Sequence, residues 1–162
     1  KITIAALPGA AAGAGLSIAL ACDLRIASKN AFITTAFANI GLSGDYGASW
    51  FLPRLIGLAK AKELFYNSER VDAQECQRLG IFNRIFSHDS FREEAQMYAA
   101  RLANGPVNAL GKMKKNLNSA VEQGLQDSLL LEAMHTIESM EGAEASEAIS
   151  AFMEKRTPNF KF

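Results

Sequence analysis

Ile2-Thr3-Ile4-Ala5-Ala6-Leu7-Pro8-Gly9-Ala10-Ala11-Ala12-Gly13-Ala14-Gly15-Leu16-Ser17-Ile18-Ala19-Leu20-Ala21-Cys22 is a run of 21 residues without a charge. Its length would admit a transmembrane helix. Pro8, Gly9, Gly13 and Gly15 argue against one, because they break the run where a helix would have to continue. Gly9 and Gly13 have the spacing of a membrane helix-packing motif, but they stand beside a proline. A secretory leader is also a poor fit, with one lysine ahead of the run and a break in its middle. The reading that uses every residue is a strand over 2–7, a glycine-rich turn over 8–15 and a buried helix over 16–22. A strand this apolar is expected to be buried on both faces, as in an α/β core.

The turn has chemical content. Glycines allow a ligand close to the backbone. The first amides of the following helix have no intrahelical acceptor and can hold an anion or a developing oxyanion. A tight strand-to-helix crossing packed through alanine and glycine explains the same residues. Gly13-Ala14-Gly15 lacks the third glycine of a dinucleotide fingerprint, and no ribose-binding acid follows at the right distance.

Working outward, 162 residues suffice for one domain with a core. Seventeen basic and seventeen acidic residues leave no net charge, which removes the electrostatic case for a nucleic-acid partner. Cys22 and Cys76 do not make a disulfide framework, so a reducing, cytoplasmic setting fits. His88 and His135 stand alone, so no metal site is expected. Leu24–Ser28 and residues 31–35 read as short strands. Ser43-Gly44-Asp45-Tyr46-Gly47 is the most turn-rich spot, and a helix is expected from there toward Leu52, where Pro53 restricts the residue before it, with Gly57 ending the segment. Asp72 and Glu75 have capping-box spacing, and residues 84–86 read as a strand. From Ser90 the pattern is helical. Apolar stripes run through Phe91, Ala95, Tyr98 and Leu102; then Leu110, Met113, Leu117 and Val121; then Leu125, Leu129, Ala133, Ile137 and Met140; and last Ala145, Ile149, Phe152 and Met153. Stripes this rich call for a partner surface.

Several segments resemble the enoyl-CoA hydratase/isomerase (crotonase) family. They are Ala5 through Gly15, Leu20-Ala21-Cys22-Asp23-Leu24-Arg25-Ile26-Ala27-Ser28, Gly41-Leu42, Leu52-Pro53-Arg54-Leu55-Ile56-Gly57, Ala59-Lys60-Ala61, and the tail Ala151 to Phe160. They occur in order along the whole chain. The resemblance implies an α/β fold, a spiral of ββα turns over 1–89, followed by a helical trimerisation region over 90–162. It implies acyl-CoA thioester substrates, no separate cofactor or metal, and a homotrimer or hexamer without nucleic acid or membrane. It places one oxyanion-hole donor at the backbone N–H of Ala14, shaped by Gly13 and Gly15. The other donor falls in an N-terminal part that this stretch lacks, so the chain is expected to begin inside the spiral, with Ile2–Leu7 as an open apolar edge.

Two positions depart from the hydratase pattern. The glutamates that hold water in hydratases fall on Ser17 and Phe37, and neither can act as a base. Asp45 stands where certain isomerases of the family carry an acid, and its loop with Trp50 is similar to the phenylacetate-type ring-epoxide isomerases. In an apolar pocket Asp45 would shuttle a proton. As a turn residue it would instead cap the helix after Gly47. Phe37, Tyr46 and Trp50 are the expected acyl contacts. Phe152 and Lys155 are expected at the coenzyme A of a neighbouring subunit. The implied activity is an enoyl-CoA isomerase. A hydratase with altered chemistry and a non-catalytic thioester-binding or assembly module are the alternatives.

Overall fold

A computed structural model describes residues 1–161. The chain forms two compact units, one over Thr3–Met97 and one from Tyr98 onward together with Lys1–Ile2. The division falls inside a helix, α5 (Phe91–Ala103).

The first unit repeats a strand-strand-helix pattern. β1 (Ile4–Leu7) and β2 (Ala10–Ala12) bracket the Pro8-Gly9 bend, and α1 (Ala14–Ala21) follows. β3 (Leu24–Ser28) and β4 (Phe32–Thr34) repeat the two strands. A short 3-10 turn (Ala38–Ile40), α2 (Ala48–Ile56) and α3 (Leu58–Asn67) come next, then β5 (Val71–Asp72), α4 (Ala73–Arg78) and β6 (Arg84–Phe86). Each repeat gives one strand to each of two sheets. β1 pairs in parallel with β3, Ile4 opposite Leu24, and β3 in parallel with β6. β2 pairs in parallel with β4, Ala10 opposite Phe32, and β4 antiparallel with β5. Parallel neighbours need a crossover, and α1 supplies it. This is a spiral, and β1 and β2 are edge strands of their sheets. Leu7, Leu16, Leu20, Ala27, Ile33, Leu52, Cys76 and Ile81 form its core.

Several details differ from the sequence reading. The turn over 8–15 contains β2. Three alanines have little strand preference of their own, and pairing with β4 makes them a strand. The helix begins at Ala14 rather than residue 16, because Gly13 reverses the chain there at φ 49°, ψ −123°. β1 is not buried on both faces. Ala5 and Leu7 face the core while Ala6 is exposed, the ordinary alternation of a strand. α1 likewise exposes Ile18 while Leu16, Ala19 and Leu20 are buried. Pro53 lies inside α2, which continues to Ile56. At α4 only half of the capping box forms. Asp72 Oδ1 accepts from the Glu75 N–H at 2.8 Å, but the Glu75 carboxylate turns to Arg78.

The second unit contains α6 (Val107–Ala120), α7 (Leu125–Met140) and α8 (Ala143–Met153). α6 has no cap of its own, since Pro106 precedes it. Glu144 supplies one from α8. The residue is 8% exposed, and its carboxylate accepts from the N–H groups of Asn108 (2.8 Å) and Ala109 (3.0 Å). These are amides a helix start leaves unpaired, and negative charge is favoured there. Met113, Leu117, Leu125, Leu129, Ile137, Met140, Ile149 and Met153 are all exposed, so much of the apolar stripes of α6, α7 and α8 is left uncovered by the described residues.

Candidate active site

The start of α1 is fixed from several sides. The Gly13 N–H donates to Thr34 O at 3.2 Å, which ties the turn to β4. The Gly13 carbonyl accepts from both the N–H (3.0 Å) and the hydroxyl (3.1 Å) of Ser17. That is the first helical bond, so the N–H groups of Ala14, Gly15 and Leu16 have no helical acceptor upstream. At its other end α1 is held by Arg25. This buried guanidinium donates to the carbonyls of Cys22 (2.7 Å), Leu20 (3.3 Å) and Ile81 (2.7 Å). Burial lowers its pKa.

Ser17 is fully buried and its hydroxyl is spent on Gly13. Phe37 is 4% exposed. A carboxylate or a bound water has no place at either position as the chain stands. The Phe37 ring links two parts of the site. A Cβ at Gly13 would lie 3.8 Å from Phe37 Cε1, and a Cβ at Gly44 would lie 3.8 Å from Cδ2 and Cε2 on the other edge. The turn that carries the Ala14 amide and the loop that carries Asp45 are thus one aromatic ring apart. Phe65 on α3 stacks on Phe37, with ring centroids 6.1 Å apart and planes at 16°, and comes within 3.2 Å of a Cβ placed at Gly44. Nothing in the sequence marks Phe65 as part of this site.

Asp45 is exposed, so within this chain it does not sit in the apolar pocket expected for it. It is not a side-chain cap either. Gly47 caps α2 without a side-chain bond, and the Ala48 N–H reaches the Asp45 main-chain carbonyl at 3.1 Å. Among the described residues its carboxylate has no hydrogen bond or ion pair. The loop is shaped by positive φ at Gly44, Tyr46 and Gly47. Tyr46 is exposed. Trp50, 46% exposed, is covered on one face by the Arg54 guanidinium 3.2 Å from its ring centroid.

Phe152 and Lys155 belong to the helical unit. Phe152 is 82% exposed at the end of α8. Lys155 is exposed at φ 56°, just beyond the helix. Beside it Arg156 pairs with Glu147 through its two terminal guanidinium nitrogens (2.6 and 3.0 Å) and with Glu154 through Nε at 2.6 Å. Bonds from Arg156 and from the Asn159 N–H hold the Glu147 carboxyl down to about 2, and the bonds to Glu147 and Glu154 raise Arg156 further. This network spans nine residues across a helix end, a spacing no helical or capping pattern reveals in sequence. The same unit has a cavity of about 250 Å³. Two of its acids are already engaged, Glu144 at α6 and Glu138 with Lys112 at 3.1 Å.

Among the described residues no three His, Cys, Asp or Glu side chains gather to hold a metal, and no helix is long and apolar enough to cross a membrane.

The family model for enoyl-CoA hydratase/isomerase matches residues 1–162. The chain is 38% identical over 157 residues to a Rhodobacter capsulatus protein described as "Probable enoyl-CoA hydratase", covering 97% of this chain and 61% of that one. It is 35% identical over 160 residues to the 1,2-epoxyphenylacetyl-CoA isomerase of Escherichia coli, covering 99% and 61%. The crystal structure of an enoyl-CoA hydratase from a Polaromonas species superposes with a TM-score of 0.94 at 39% identity, over 99% of this chain and 63% of that one. The chain spans about three-fifths of the length of these relatives. The full-length match to the family model and the superposed spiral agree with the turn, strand and tail segments described above: the chain belongs to the enoyl-CoA hydratase/isomerase, or crotonase, family.

Proposed function

We propose that this chain carries part of the active site of an acyl-CoA isomerase, with the Ala14 N–H as one oxyanion donor and Asp45 as the proton carrier. The observation behind the reading is the single ring of Phe37 between Gly13 and Gly44. It lies between the turn that carries the Ala14 amide and the loop that carries Asp45, which supports pairing the two, and it fills a position where hydration would need a base.

The chemistry follows from the two groups. A thioester carbonyl oxygen accepts the Ala14 N–H, and this bond strengthens as the oxygen becomes an enolate. One such donor is worth ~2.7–4 kcal/mol of barrier. The Asp45 carboxylate takes a proton from one carbon of the acyl chain and returns it to another. The double bond moves and no atom is gained or lost. A bound acyl group would exclude water from the exposed carboxylate during that transfer. Gly13 and Gly15 leave room for the thioester, and Phe37, Tyr46 and Trp50 border the acyl end. Phe152 and Lys155 serve the coenzyme A of a neighbouring subunit.

The exposed apolar stripes of α6, α7 and α8 support self-association as a homotrimer or hexamer. Two free cysteines suit a reducing compartment such as the cytoplasm.

The test is double-bond migration on a 3-enoyl-CoA, followed in parallel with calorimetric binding of a saturated acyl-CoA. Asp45→Asn should abolish migration and keep binding. Wild-type turnover in that variant would reduce Asp45 to a loop residue. Loss of 2-enoyl-CoA absorbance in the wild type would assign a hydratase instead. Binding without either reaction would assign a thioester-binding module.

A further inference from the structure

The end of α8 places a lysine where helices usually place glycine. The Lys155 N–H donates to Phe152 O at 3.2 Å and the Arg156 N–H to Ala151 O at 3.0 Å. This pair of bonds is the closure that puts the residue after the cap in the left-handed region. Lys155 occupies that position at φ 56°, a conformation costly for any residue with a Cβ. Such a conformation persists only where the surroundings over-determine it. Here they do. Arg156 grips Glu147 with two parallel bonds and Glu154 with a third, and the Asn159 N–H reaches the same Glu147 carboxylate at 2.7 Å. The chain on the C-terminal side of Lys155 is thereby pinned to α8.

The network also has an electrostatic effect. Glu147 and Glu154 are the acids nearest Lys155 in this segment, and Arg156 takes both. The Lys155 ammonium is left with no hydrogen bond or ion pair among the described residues, exposed and held on a fixed stretch of backbone. An uncompensated, preorganised cation of this kind suits a phosphate.

We infer that Glu147 and Arg156 are positioning residues for the nucleotide phosphates of a coenzyme A thioester, acting through Lys155. The inference rests on the reading of Lys155 given above and goes beyond it in naming the residues that set its reach.

The experiment is calorimetric titration of the full chain with butyryl-CoA and with S-butyryl-pantetheine, which lacks the nucleotide. Glu147→Gln keeps the shape and removes the charge. Lys155→Ala removes the cation itself. Each should weaken butyryl-CoA roughly five- to tenfold, the net scale of one hydrogen bond at an exposed site, and leave butyryl-pantetheine unchanged. The double variant should bind butyryl-CoA no more weakly than Lys155→Ala alone, because Glu147 acts through that lysine. If Glu147→Gln leaves butyryl-CoA affinity intact, weakens both ligands alike, or adds its full effect to Lys155→Ala, the positioning role is overturned. If Lys155→Ala changes nothing, the reading of Lys155 fails, and the positioning role falls with it. Absence of butyryl-CoA binding in the wild type would overturn the acyl-CoA reading as a whole. Should Glu147→Gln lower the melting temperature, Arg156→Lys keeps the charge, loses the fork, and is read the same way.

Discussion

Gly13 and Gly15 are two residues apart, yet the same substitution should act on them in opposite directions. At Gly13 the backbone has φ 49° and ψ −123°, a region open to glycine and closed to residues with a Cβ. An added Cβ would meet nothing closer than 3.8 Å, so steric overlap contributes nothing and the whole cost is conformational. For Gly13→Ala that cost is ~1–3 kcal/mol of lost stability. Gly15 lies within the first turn of α1, with nothing within 4 Å of an added Cβ and no positive φ. Alanine there gains helix propensity, so Gly15→Ala should stabilise the chain by ~0.5–1 kcal/mol. Urea unfolding followed by circular dichroism reads both. Acyl-CoA titration adds a second test. Gly15→Ala should weaken binding despite its higher midpoint, because its methyl group would stand in the path of the thioester proposed to reach the Ala14 amide. If Gly13→Ala unfolds at the wild-type midpoint, the turn is not held as described. If Gly15→Ala binds acyl-CoA as tightly as wild type, the thioester does not approach α1 at its start.

Three further predictions concern stability and reactivity. Glu144→Ala removes the side-chain acceptor of the Asn108 and Ala109 amides and should cost ~1–3 kcal/mol in the same unfolding assay; an unchanged midpoint would mean that water replaces the cap freely. The Cys76 thiol is pushed up to about 12 by burial, so at pH 8 iodoacetamide should leave it unmodified in the native chain and label it on unfolding. Its folded value lies above its unfolded one, so its contribution to stability is complete below about pH 9 and is lost as pH rises toward 12. Glu147 has the opposite sign. Its folded pKa of about 2 lies below the ordinary glutamate value, so the contact with Arg156 should persist at pH 4 and be lost as pH falls through about 2, which the Glu147 carboxyl carbon shift in NMR would follow.

The fold was legible where sequence and tertiary context agree. β3 matches its predicted bounds, Gly57 ends α2, Asp72 caps α4, and the four helical stripes became α5 to α8. It was not legible where pairing decides the matter. Nothing in Ala10-Ala11-Ala12 predicts a strand; only β4 beside it does. Pro53 restricts the residue before it, yet the helix runs through both to Ile56. For the site, the α1 amides and the Asp45 loop could be read from glycines and the family resemblance. Their nearness could not, because it depends on a ring, Phe37, that lies 24 residues from Gly13 in sequence and is backed by Phe65. The Glu147–Arg156 clip was hidden for a similar reason. Its partners meet only because the chain turns back after Met153.

The register of the spiral bears on how the chain folds and on how it can be divided. Ile4 pairs with Leu24 and Ala10 with Phe32, so each of these turns rests on the one about twenty residues away. Architectures of this type are quasi-one-dimensional, with stability close to a sum over turns and nearest-neighbour interfaces. Early turns therefore close short loops and need no distant part of the chain, which favours fast, local nucleation around α1. The same additivity means that a run of consecutive turns retains its shape when considered apart from the rest. This is consistent with a stretch three-fifths the length of its relatives superposing on one of them at a TM-score of 0.94.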